Sequence, residues 1–141
     1  MGCAIEVMFT PADFRALRQR DLADATCVVL DVLRATSVMV TALANGAAAF
    51  IPVEEISTAI ALKRERPEAL LAGEREGLRI GSALSGGTEF DLGNSPREFT
   101  PTKVKGRTII STTTNGTRAL RACLGAGVVV IGSFLNSFSL L

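Results

Sequence analysis

Thr26-Cys27-Val28-Val29-Leu30-Asp31-Val32-Leu33-Arg34-Ala35-Thr36-Ser37 opens the stretch that decides the fold, and it runs on through apolar and small residues to Asn45-Gly46. Thr26–Leu30 is a continuous apolar run rich in β-branched side chains. It is too short for a helix and reads as a strand buried on both faces. The run breaks at Asp31. Thr36 to Ala44 is apolar on nearly every side, which indicates a buried helix, and Asn45-Gly46 supplies its stop signal. A buried strand, a polar junction and a buried helix make the basic unit of an α/β sheet.

The rest of the chain repeats that alternation. Ile5–Phe9 reads as a first strand, followed by Pro11-Ala12-Asp13 in the first turn of a helix. Ala49–Val53, Leu70–Ala72, Thr108–Ser111 and Val128–Ile131 are further strand candidates. Glu54–Arg66 has Ile56, Ile60 and Leu62 on one face and closes at Pro67, and Asn115–Leu124 is a second helix. Glu74 to Pro101 shows no clean period, and so long an irregular stretch in a compact domain is usually functional or disordered. Together these predict one domain over residues 1–141, a three-layer α/β/α fold with a largely parallel sheet. Its ligands should gather beyond the carboxyl ends of the strands.

Composition narrows the function. Of the 141 residues, 48% are hydrophobic and 21% charged, and the net charge is +1. That balance gives no broad electrostatic footprint for nucleic acid. The apolar runs are too short to span a bilayer, and a signal peptide's apolar stretch is absent at the start. The three cysteines, Cys3, Cys27 and Cys123, share no metal-ligand spacing, and there is no histidine. Core thiols in a cytoplasmic protein are expected.

Polar residues cluster where the strands end. Asp31, Arg34, Thr36 and Ser37 follow the first buried run, where a carboxylate, a guanidinium and a helix start suit a divalent cation and an anion. An N-cap with a structural Asp–Arg pair explains the same residues equally well. Ala72-Gly73-Glu74-Arg75-Glu76-Gly77 adds a carboxylate and an arginine. Phe90-Asp91-Leu92-Gly93-Asn94-Ser95-Pro96 adds hard oxygen donors and a cap, although turn chemistry alone is an even alternative. Ser111-Thr112-Thr113-Thr114-Asn115-Gly116-Thr117 carries more hydroxyls than capping needs, and Gly132-Ser133-Phe134-Leu135-Asn136 follows the last strand. A doubly anionic substrate fits this inventory. Cys27 and Arg34 are separated by six residues, one more than in the cysteine phosphatase loop. Leu33 stands where an aspartyl phosphatase needs its second Asp, and no Walker loop or strand-led glycine fingerprint occurs.

The motifs at 31–37, 73–75, 91–96, 113–117 and 132–136 resemble, in order, those of the 2-phosphosulfolactate phosphatases of coenzyme M biosynthesis. The resemblance implies Mg²⁺-dependent release of phosphate from 2-phospho-3-sulfolactate, leaving 3-sulfolactate. Asp31, Glu74 and Asp91 are then the expected metal ligands or acid–base groups. Arg34 and Arg75 are expected to hold phosphate and sulfonate. Thr36, Ser37, Asn94, Ser95, Thr113, Thr114, Asn115, Gly116 and Asn136 are the expected substrate contacts. Alternatives are a non-catalytic anion-binding fragment and a phosphatase for another small acidic phosphoester. Members of that family are longer, so the chain reads as carboxyl-terminally truncated and, alone, marginally stable and nearly inactive. A homo-oligomer is left open.

Overall fold

The computed structural model describes residues 4–137. The two valine-rich runs, β1 (Thr26–Leu30) and β6 (Val128–Gly132), pair in parallel, from Thr26 opposite Val128 to Leu30 opposite Gly132. A second sheet has the order β2-β5-β3-β4, built from β2 (Ala49–Pro52), β3 (Leu70–Arg75), β4 (Leu78–Arg79) and β5 (Thr108–Thr112). β2, β5 and β3 are parallel, and β4 alone runs antiparallel to β3. The fold is therefore α/β with mostly parallel strands, hydrogen-bonded in two groups instead of one continuous sheet. Pro52 occurs on the edge strand β2, where a missing N–H disturbs one neighbour only.

The helices follow from the apolar pattern. α2 (Ala35–Ala44) buries Ala35, Val38, Met39 and Ala42 and stops at Asn45, with Gly46 at φ 87°. It packs on β2 and β6. α3 (Ile56–Glu65) lies against β3 and β5, as its Ile56, Ile60 and Leu62 stripe anticipates. α1 (Pro11–Leu17) starts with a capping box: the Asp13 N–H donates to Thr10 Oγ1 at 3.2 Å and the Thr10 N–H to Asp13 Oδ2 at 2.8 Å. It rests on α6 (Gly116–Ala122).

Side-chain alternation along β3 and β5 divides the core in two. Ala72 and Ile109 join Val38, Ala42, Phe99 and Val104. Their neighbours Leu71 and Ile110 join Ala59, Ile80 and Phe90. Cys123 is buried, and burial, reinforced by contact with Cys27, pushes its thiol up to about 12. Of the two expected core thiols, Cys123 is buried and Cys27 only half-buried; Cys3 lies outside the described residues.

Three expectations need correction. β1 is not buried on both faces: Val29 is buried, but Val28 and Leu30 are exposed. Ile5–Phe9 forms no strand, and Ile5, Val7 and Phe9 are exposed. Alternation makes a segment suited to a sheet edge, but among the described residues no strand pairs with it. The stretch from Glu74 to Pro101 is not structureless. It holds β4, a single-turn helix α4 (Ser82–Ser85), a 3-10 turn (Pro96–Glu98) and α5 (Pro101–Val104). Among the described residues no helix is long and apolar enough to cross a membrane.

Candidate active site

β1 ends at Asp31 because the loop behind it is braced by the start of α2. The Asp31 N–H donates to Thr36 Oγ1 at 2.9 Å, and the Thr36 N–H returns to the Asp31 carbonyl at 3.0 Å. Ser37 Oγ donates to the Val32 carbonyl at 2.8 Å. Thr36 and Ser37 thus hold the loop and face inward. They do not contact a ligand space. What the loop presents is the Asp31 carboxylate and the Arg34 guanidinium, which reaches the Gly77 carbonyl at 3.3 Å.

β3 continues further than its apolar residues suggest and carries Glu74 and Arg75. Successive residues of a strand point to opposite faces, and these two separate accordingly. Glu74 is 8% exposed, and each carboxylate oxygen accepts a backbone N–H, Oε1 from Thr114 at 2.8 Å and Oε2 from Gly77 at 2.9 Å. Burial pushes its pKa upward, but the hydrogen bonds from Thr114 and Gly77, with the Arg75 charge, hold it below the usual value. Arg75 is turned the other way, donating to the Glu74 carbonyl, the Glu54 carbonyl and Thr112 Oγ1. Its guanidinium braces the scaffold.

β5 delivers the third segment. Thr113 and Thr117 interlock through reciprocal bonds, the Thr113 N–H to Thr117 Oγ1 and the Thr117 N–H to Thr113 Oγ1, each at 3.1 Å. Gly116 brings this loop against the first one. A Cβ there would lie 2.3 Å from the Ala35 Cβ and 2.7 Å from Asp31 Oδ2. Asp31, Arg34, Glu74, Asn94, Thr113, Thr114, Asn115 and Gly116 all line one cleft of ≈ 730 Å³.

Asp31 and Glu74 are near enough to affect each other. Burial raises the Asp31 pKa and the Glu74 charge adds to the rise, against hydrogen bonds from the Ala35 and Arg34 N–H groups and the Arg34 charge. Two carboxylates are thus pushed in opposite directions, which is the usual sign of a division between proton carrier and fixed charge.

A family model described as 2-phosphosulpholactate phosphatase matches residues 12–141. The chain belongs to this family. It is 50% identical over 125 residues to the "Probable 2-phosphosulfolactate phosphatase" of Caldanaerobacter subterraneus subsp. tengcongensis, covering 87% of this chain and 49% of that protein. The likeness to the "Probable 2-phosphosulfolactate phosphatase" of Caldicellulosiruptor saccharolyticus is 43% over 130 residues, covering 92% and 51%. The chain therefore spans about half the length of the curated relatives it matches.

Several of the residues expected from the family resemblance stand outside the cleft. Asp91 is exposed on the edge of β3, where Oδ2 accepts the Leu71 N–H at 2.8 Å. Leu92 bridges to Ala72, which sets Asp91 along the strand edge and outside the cleft lining. Among the described residues no group of three acidic or cysteine side chains is placed to hold a metal. Ser95 begins the 3-10 turn without a side-chain cap bond. Asn136 uses both ends of its amide in its own turn, accepting the Ser133 N–H at 2.8 Å and donating to the Ile131 carbonyl at 3.0 Å.

The cleft also contains residues that were not anticipated. Met8, Phe9, Pro11 and Phe14 form an apolar wall, and Glu76 adds a carboxylate at its rim. Glu76 and Gly77 form the turn between β3 and β4 at φ 54° and 79°, the type I′ hairpin geometry. The Glu-x-Glu spacing at 74 and 76 was a visible signal for the added carboxylate. The apolar wall had none beyond α1 itself.

Gly116 allows a direct check on how closely the two loops of the cleft pack. Gly116 is the first residue of α6, so replacing it with Ala gains only a fraction of the roughly 1 kcal/mol that helix propensity gives in a helix interior. The collision with Ala35 and Asp31 costs about 1–3 kcal/mol, so Gly116→Ala should lower the urea midpoint and weaken phosphate binding. A variant with a raised midpoint would show that the two loops are not packed this closely.

Proposed function

We propose that the chain is a phosphomonoesterase that releases phosphate from 2-phospho-3-sulfolactate, with Mg²⁺ as its cofactor. The observation that carries this reading is the convergence of Asp31, Arg34, Glu74, Asn94 and Asn115, from separate segments, on one cleft. The names of the relatives support the substrate. Arg34 would take the phosphate oxygens in a charge-assisted fork. The Asn94 and Asn115 amides would orient the ester, and the apolar wall of α1 would exclude water from the far side. With its raised pKa, Asp31 suits a group that takes a proton from the attacking water and returns it to the leaving alkoxide. Glu74 would stay ionised and hold the Gly77 and Thr114 backbones in place.

The donor set suits Mg²⁺, which is commonly held by one or two carboxylates together with substrate phosphates. Glu74 would be such a carboxylate, beside the Asp31 that carries the proton, in place of a set that included Asp91. When bound, the ion would neutralise charge that develops on the phosphoryl group.

One observation favours a second reading, a chain that binds the anion without turnover: both oxygens of Glu74 are already taken by backbone N–H groups. Phosphate release from 2-phospho-3-sulfolactate, assayed beside the full-length Caldanaerobacter relative, separates the two. The expected result is release that requires Mg²⁺ and stops with EDTA. Phosphate binding without release would favour the second reading, and release undiminished by EDTA would remove Mg²⁺ from the proposal.

A further inference from the structure

We infer that Arg118 is the group that recognises the second acidic function of the substrate, a sulfonate or carboxylate on the far side of the phosphoester. The inference rests on the phosphatase reading and deepens it. A phosphoester with an acidic tail needs two separated cationic contacts, and among the described residues the cleft at Asp31 offers one arginine, Arg34. Arg75 does not serve, because its guanidinium is taken up by the Glu74 carbonyl, the Glu54 carbonyl and Thr112.

A second hollow of ≈ 240 Å³ adjoins the first, and Pro11, Phe14 and Asn115 line both. Arg118 lines this second hollow. It lies three residues after Asn115, one helical turn along the same face of α6. Arg15, Arg18, Glu54 and Glu55 are the other charged groups there, and Arg18 is paired with Glu54. Among the described residues no carboxylate or carbonyl holds Arg118, which is exposed. Arg75, although it does not reach the hollow, is close enough to repel Arg118. An anion between Asn115 and Arg118 would relieve that repulsion. The juxtaposition provides an amide common to both hollows, an arginine on each side of it and an apolar floor from α1. A short molecule carrying phosphate at one end and a strong acid at the other matches that layout. Arg is the better residue for such oxygens because its planar fork binds two of them at once.

The test measures equilibrium binding of two probes, inorganic phosphate and 3-sulfolactate, to the 141-residue chain and its Arg118→Gln, Arg118→Lys and Arg34→Gln variants. Arg118→Gln should weaken 3-sulfolactate by at least about tenfold, the scale of one lost charge-assisted contact, and leave phosphate unchanged. Arg118→Lys should restore part of that loss. Arg34→Gln should weaken phosphate. Equal weakening of both probes by Arg118→Gln would make it a phosphate ligand and overturn the assignment, as would no weakening of either. A wild-type chain that binds phosphate but not 3-sulfolactate would also overturn it, leaving the phosphatase reading intact. Failure of that reading has a different signature, phosphate binding that is absent or indifferent to Arg34→Gln. The Arg118 assignment is then judged on 3-sulfolactate alone.

Discussion

On the proposed phosphatase reading, Asp31→Asn is expected to reduce phosphate release by about 10²–10⁴-fold, the range lost with a general acid–base group, while leaving the chain as stable as before or more so. The two effects share one cause. Burial and the charge of Glu74 raise the Asp31 pKa, so the folded protein carries the ionised group at a cost. A carboxyl whose folded pKa is raised contributes its full stability below the unfolded value and loses it as pH rises through the folded one. As pH rises through the folded value the wild type loses that contribution, whereas the amide never ionises. In EDTA, so that no cation compensates the charge, thermal unfolding at pH 7 should favour the Asn variant. The difference should vanish below the ordinary Asp range, near pH 3. Activity within tenfold of wild type, or a clear loss of stability at pH 7, would remove Asp31 from the centre of the mechanism.

How far the sequence foretold this site depends on what each residue borrows from its neighbours in space. β1, Asp31 and α2 were legible because the information is local: an apolar run, a break, a second apolar run and a glycine stop. The same applies to α3 and its Ile56, Ile60 and Leu62 stripe. Ile5–Phe9 carries an equally good strand pattern, but pairing requires an edge, and no local pattern reports whether one is available. α4 and α5 escaped because helices of four residues barely exceed one 3.6-residue period. Asp91 and Asp31 have the same chemistry, each following an apolar residue. What separates them is the bridge from Leu92 to Ala72, which directs the Asp91 carboxylate to the Leu71 N–H. Arg75 was misplaced for a simpler reason. With β3 ended at Ala72, Glu74 and Arg75 looked like loop neighbours able to face one ligand, whereas strand continuation to Arg75 sends them to opposite faces. Arg118 drew no attention because an exposed helical arginine is the commonest kind. Only the position of Asn115 between two hollows distinguishes it.

Glu74→Gln should give the opposite result from Asp31→Asn: a chain destabilised by about 1.5–3 kcal/mol, the scale of a hydrogen bond to a buried charged group, with phosphate binding weakened as well. The two N–H groups that converge on Glu74 come from distant parts of the chain, Gly77 in the hairpin and Thr114 after β5. A carboxylate can accept both. Gln offers one carbonyl oxygen, and its NH₂ must face the other N–H, so one part-buried bond to a charged acceptor is lost and the two loops separate. Because hydrogen bonding outweighs burial and depresses the Glu74 pKa, its contribution is present above the unfolded value and is lost as pH falls through the folded one. Urea unfolding should therefore show a constant gap between wild type and Gln above about pH 6, where Glu is ionised in both states. The gap should close as pH drops below the ordinary Glu range. Asp91→Asn is the control, since one oxygen can still accept the Leu71 N–H from an exposed position, and its effect should stay within about 0.5 kcal/mol. A Gln variant as stable as wild type, or a gap that persists unchanged at pH 3, would mean that Glu74 does not tie the cleft's loops together.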